Sequence, residues 1–195
     1  GSCTLAPGIF VNDLGIPFTS VLLKPGATGC GAVDGSFTPT DYKAIHFIGY
    51  VPALKVTPDG EHMLHRRAIL SFGVVQITDS RCASVPDTEQ AKIQDWTTWL
   101  SGTPHGCGCA MWLHPTRFTA ADVPGVNDEV HGIIKETGRR KIFESRLPRD
   151  GFAIGGKTTI VDFQVALFYS WDNKILDIGM TRYAKYSEFV RNALK

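Results

Sequence analysis

The chain has 195 residues, 43% of them hydrophobic and 20% charged, with a formal net charge of +1. Such a balance is ordinary for a globular protein and leaves room for one domain or two small ones; without a long Lys/Arg run it argues against nucleic acid as a partner. The most apolar stretch, residues 160–171, is interrupted by Asp162 and Gln164 and cannot span a membrane, no signal-peptide pattern opens the chain, and five cysteines without a secreted-framework spacing point to a reducing compartment, so a cytoplasmic location is expected.

Gly1-Ser2-Cys3-Thr4-Leu5-Ala6-Pro7 has the form of a strand-to-helix turn, and a sheet built on it would have its first strand upstream of Gly1. A helix is expected over residues 5–14, with a hydroxyl residue before it as a cap and Gly15 and Pro17 as stop signals. Residues 18–23 alternate and read as a strand, residues 26–40 as a glycine-rich loop holding Cys30, and residues 42–46 as a short helix at most. The run Gly49-Tyr50-Val51-Pro52-Ala53-Leu54-Lys55 leads into an alternating segment that ends at Asp59-Gly60, the strongest short-range turn signal. An X-Pro bond held in one isomer, a short strand, a hairpin turn and a return near residues 63–64 follow from that pattern. Residues 67–78 then read as a helix.

Residues 80–87 are the clearest linker, dividing a domain of residues 1–79 from one of residues 88–195. Thr88 reads as the cap of a helix carrying Ile93, Trp96, Trp99 and Leu100 at helical spacing. Pro104 and its neighbouring glycines should kink or break that helix before Met111 and Trp112. Residues 127–147 form a second amphipathic helical region, in which Arg139, Arg140 and Lys141 read as a solvated face. Thr159 and Asp162 have the spacing of a capping box that opens an apolar helix to Trp171, with Asp162 structural. A last helical piece covers residues 183–195, so the second domain is all-α.

Four of these segments, in order and at suitable distances, resemble the bacterial-type glutathione transferases. Gly1–Pro7 is similar to the Gly-Ala-Cys-Ser-Leu-Ala-Pro signature of that family's first helix, and residues 49–55 to its cis-proline segment. Trp96 followed by His105 resembles the Glu-Trp and active-site histidine of its fourth helix. Phe152-Ala153-Ile154-Gly155-Gly156-Lys157-Thr158-Thr159-Ile160-Val161-Asp162 resembles its α-domain capping box. The resemblance implies a thioredoxin-like domain followed by an all-helical one, glutathione as cofactor, a homodimer, and a small apolar electrophile as acceptor. By the same resemblance, the backbone at Val51-Pro52 would hold the cysteinyl part of glutathione. Where the family has Glu-Ser for the γ-glutamyl end, this chain has His65-Arg66, of which Arg66 suits a bidentate grip on a carboxylate.

Glutathione chemistry needs a thiolate, and hydroxyl or N–H groups at a helix N-terminus favour one. Cys3 matches the bacterial-type cysteine, which also forms a mixed disulfide with glutathione, and Ser2 or Thr4 could supply the hydroxyl; otherwise Cys3 is a buried thiol and its neighbours only cap a helix. His105 is either a polar group facing the active-site cleft or a histidine without catalytic duty. Phe10, Met111 and Trp112 are candidates for the substrate pocket or the core. Cys107-Gly-Cys109 lacks a zinc spacing and a second cysteine pair, so no metal is expected. The expected activity is glutathione transfer, with glutathione-dependent cis–trans isomerisation of a conjugated double bond as the alternative and a non-catalytic binding module as the second.

Overall fold

The computed structural model describes residues 3–13, 15–55, 60, 62–64, 69, 86–121, 123–126, 128–129, 139–149 and 151–193. The chain divides into two compact units, Gly1–Ser84 and Val85–Lys195.

In the first unit, helix α1 (Leu5–Asp13) begins after Thr4, whose carbonyl accepts from the Gly8 N–H at 3.0 Å. The helix ends as Gly15 predicts: that glycine has φ +65°, its N–H bonds the Asn12 carbonyl, and the Ile16 N–H bonds the Val11 carbonyl. This paired arrangement satisfies the last carbonyls of the helix and needs a residue that tolerates the left-handed region. Ala6, Pro7 and Phe10 form the buried face of α1.

The expected strand over residues 18–23 is displaced. Strand β1 (Leu23–Gly26) pairs antiparallel with β2 (Gly29–Ala32), inside the segment expected to be a loop. The cause is the turn: Ala27 and Thr28 join the strands between two glycines, and a two-residue turn sets the register of everything around it. The short helix is also longer than expected. Helix α2 (Pro39–Ile45) starts at a capping box in which the Thr38 hydroxyl accepts from the Asp41 N–H and the Asp41 carboxylate accepts from the Thr38 N–H, with Pro39 in the first turn. The cis Val51–Pro52 peptide expected from the sequence is present, and β3 (Leu54–Lys55) pairs antiparallel with β4 (His62–Met63). Of the helix expected over residues 67–78 only Ile69 is described; it is helical and buried.

The second unit is helical. Helix α3 (Asp87–Leu100) starts one residue before the expected cap, after Pro86, and no side chain caps it. Pro104 does not break the chain of helical turns. Residues Ser101–Cys109 widen into a π-helix that runs directly into α4 (Ala110–Leu113). Proline has no N–H to give and its ring collides with the carbonyl four residues back; a wider turn accommodates both faults without ending the helix. A short 3₁₀ turn at Pro115–Arg117 follows.

Helices α5 (Arg139–Arg146), α6 (Ile160–Lys174) and α7 (Ala184–Ala193) follow in this unit, with a 3₁₀ turn at Met180–Arg182 before α7. The capping box opening α6 is formed as the sequence indicates: Asp162 accepts from the Thr159 N–H and hydroxyl and from the Ala153 N–H. Nearly every residue of α6 from Ile160 to Phe168 is buried, which marks it as the central helix. Phe143 of α5 sits among Trp96, Trp99, Phe168 and Tyr186, with ring centroids 4.8–6.4 Å apart. Burying a ring as completely as Phe143 or Phe168 stabilises the fold by roughly 1.5–3 kcal/mol. Glu144 accepts from the Lys185 and Tyr186 N–H groups, so α5 caps the start of α7.

Arg140 corrects the expectation of a solvated basic face. Its side chain is 1% exposed and its guanidinium donates to the Asp172 carboxylate at 2.8 Å. Among the described residues no helix is long and apolar enough to cross a membrane.

Candidate functional site

The candidate site lies in the first unit, where the turn before α1 meets the loop that leads into Pro52. Cys3 is 9% exposed, and its thiol donates to the Val51 carbonyl at 3.2 Å. Two residues 48 positions apart are therefore joined at the centre of the expected site. Thr4 stands beside Cys3, exposed and at the capping position of α1, so the positive end of the helix dipole faces this turn. Pro52 is buried and Val51 half-buried.

Helix α2 supplies the other side of the loop; the sequence marks a short helix at residues 42–46 but not its full extent or the part Tyr42 and His46 play at this site. Tyr42 and His46 are one turn apart on one face of that helix and are 4% and 1% exposed. The Tyr42 hydroxyl donates to the Tyr50 carbonyl at 2.8 Å, one residue before the carbonyl that Cys3 holds. His46 Nε2 lies 3.0 Å from the Leu64 carbonyl, which requires the Nε2–H tautomer. Its ring also packs near those of Tyr42, Phe47 and Tyr50, at centroid distances of 6.4, 5.8 and 6.2 Å. Between α2 and the loop the chain reverses at Gly49, whose φ of +77° places it in the left-handed region and whose N–H bonds the His46 carbonyl. Burial pushes the Tyr42 phenol up to about 12, with the nearby Cys30 and Cys3 thiols adding to the shift. The signal for this helix was present in the sequence, since Thr38-Pro39-Thr40-Asp41 is a capping box with proline at its start.

Ser2, His65 and Arg66 lie outside the described residues. Phe10 is buried in the core face of α1. His105, Met111 and Trp112 belong to the second unit. The half-buried His105 sits in the π-helix with its ring 5.9 Å from that of Trp171. Trp112 borders a crevice of about 10 Å³ with Cys109, Leu113 and Trp171, which has room for no more than a water molecule. Met111 is half-buried nearby in α4. Cys107 is exposed and Cys109 buried, and among the described residues no group of three or more His, Cys, Asp or Glu side chains is placed to hold a metal ion.

No protein-family model and no curated protein matches the sequence. Solved structures do match. A glutathione transferase homologue from Sulfitobacter, solved with bound glutathione, is 18% identical, with 97% of this chain and 86% of that chain covered at a TM-score of 0.79. Ure2p in complex with glutathione is 14% identical, with 98% and 89% covered at a TM-score of 0.74. A beta-class glutathione transferase from Sphingomonas chungbukensis is 18% identical, with 100% and 89% covered at a TM-score of 0.68. The chain has the glutathione transferase fold, a thioredoxin-like unit followed by an all-helical one.

Proposed function

We propose that this protein is a glutathione transferase-like enzyme that holds the cysteinyl part of glutathione along Val51 and Pro52, next to Cys3. The observation that carries this reading is the 3.2 Å contact between the Cys3 sulfur and the Val51 carbonyl. Two of the structural neighbours, the Sulfitobacter homologue and Ure2p, are described with glutathione bound, which supports the same ligand here.

The residues present fit the cysteinyl end of the peptide. A carbonyl oxygen has two lone pairs, so Val51 can accept from the Cys3 thiol and from a peptide N–H together, as an added strand would require. The N-terminus of α1 disfavours loss of negative charge from a sulfur held beside it. Thr4, at that terminus, is the hydroxyl we assign to orient the sulfur, with Ser2 beside it in sequence. Bound glutathione supplies a thiolate that forms a carbon–sulfur bond to the electrophile, while the leaving group departs with its bonding pair and the thiol proton passes to solvent. Cys3 shields and orients that sulfur, or exchanges with it when glutathione arrives as the disulfide. His65 and Arg66 are assigned to the polar end of the peptide. The working form is a cytoplasmic homodimer.

Calorimetric titration of glutathione into the protein is the first test, followed by turnover with 1-chloro-2,4-dinitrobenzene by wild type and by the Cys3→Ala and Thr4→Ala variants. Binding in the micromolar-to-millimolar range and loss of turnover in at least one folded variant are expected. A product of unchanged mass and altered double-bond geometry from a conjugated alkene would assign isomerisation instead. No binding by the folded protein would sink the glutathione mechanism and leave a transferase-like scaffold that serves as a binding module.

A further inference from the structure

The two peptide units on either side of the Val51 Cα are each held by one side chain from elsewhere in the fold. Tyr42 donates to the Tyr50 carbonyl at 2.8 Å, and Cys3 donates to the Val51 carbonyl at 3.2 Å. A peptide unit is planar, so the Tyr50 carbonyl and the Val51 N–H turn together. A side chain that fixes the first therefore fixes the direction of the second. Packing alone gives no reason for a hydroxyl at position 42, because phenylalanine fills nearly the same volume in a buried position. The hydroxyl is spent on this one carbonyl.

We propose that Tyr42 is the positioning residue of this loop: through the Tyr50 carbonyl it aims the Val51 N–H at the ligand and keeps the Val51 carbonyl in reach of the Cys3 thiol. The ligand part of this inference rests on the glutathione reading above; the effect on Cys3 does not. Tyr42 touches neither the ligand nor the reacting sulfur in this scheme and acts only through backbone. Burial pushes its phenol further up, so it stays in the neutral form that donates a hydrogen bond.

The test is the alkylation rate of Cys3 by iodoacetamide in wild type and in Tyr42→Phe, resolved by peptide mass spectrometry with the exposed Cys107 as internal control. Losing one hydrogen bond of ordinary strength should free the thiol and raise the Cys3 rate about fivefold, with Cys107 unchanged. In glutathione turnover the same variant should raise KM for glutathione more than it lowers kcat. An unchanged Cys3 rate would overturn the inference, whatever the variant does to the melting temperature. If Tyr42→Phe does not fold, 3-fluorotyrosine at position 42 replaces it. That stronger donor should slow Cys3 alkylation, and an unaltered rate again overturns the inference. If wild type fails to bind glutathione while the Cys3 rate still responds to position 42, the functional reading falls and the positioning role stands.

Discussion

The Arg140 guanidinium donates to the Asp172 carboxylate at 2.8 Å, and the two side chains are 1% and 0% exposed. A charge pair this deep contributes little net stability over an apolar pair, but removing one partner takes from the other a buried charge-assisted hydrogen bond. Arg140→Met should therefore cost about 3–5 kcal/mol in chemical unfolding. Replacing Asp172 by leucine in the same chain should recover much of that loss. A double variant as unstable as the single one would show that the pair is needed for more than mutual neutralisation.

The π-helix makes opposite predictions for two of its glycines. A Cβ on Gly102 would meet nothing within 4 Å, whereas one on Gly106 would lie 3.1 Å from the Ser101 carbonyl oxygen. Gly102→Ala should gain about 0.5–1 kcal/mol from reduced backbone entropy. Gly106→Ala should lose about 1 kcal/mol through overpacking. Thermal melts of the two variants check this, and equal shifts would count against the widened turn.

The start of α6 separates a cap from a buried carboxylate. Thr159→Ala should cost about 0.5–2 kcal/mol as an ordinary cap. Asp162→Ala should cost about 3 kcal/mol because it abandons three donors, the Ala153 N–H and the Thr159 N–H and hydroxyl. Burial holds the Asp162 carboxyl above its usual range, against the downward pull of those hydrogen bonds. With the folded pKa raised, its contribution is complete below the unfolded pKa and declines as pH rises through the folded one. The stability of wild type relative to Asp162→Asn should thus fall as pH climbs from about 4. Urea unfolding across that range measures it, and a difference that grows with pH would reverse the assignment.

Tyr42 should titrate above the ordinary phenol range. The absorbance step at the tyrosinate band that is missing from Tyr42→Phe should be centred near 12. Because the folded pKa lies above the unfolded one, wild type should lose stability relative to that variant as pH rises from about 10 toward 12. A missing step centred near 10 would place the phenol in water.

Local signals were read well where one turn of chain contains the whole device. Gly15 stops α1, and Thr159 with Asp162 opens α6, because each arrangement is completed within a few residues. The capping box at Thr38 and Asp41 is equally local, but the glycine-rich composition around it masks the signal. Composition fails at β2 for the same reason: glycines that read as a loop mark the turn of a hairpin. Pro104 marked a real perturbation, but whether it breaks a helix or widens one depends on the packing that surrounds it.

The sequence by itself determined the order of the segments, the fixed X-Pro bond at Val51–Pro52, the capping box of α6 and the likeness to glutathione transferases, since each depends on residues close together in the chain. Only the tertiary structure decided that Cys3 reaches Val51, that Tyr42 grips the carbonyl before it, and that Arg140 turns inward to Asp172. An unpaired buried charge or hydroxyl is costly, so such groups go where a partner waits, and nothing in the local sequence records where a partner 48, 8 or 32 residues away will be.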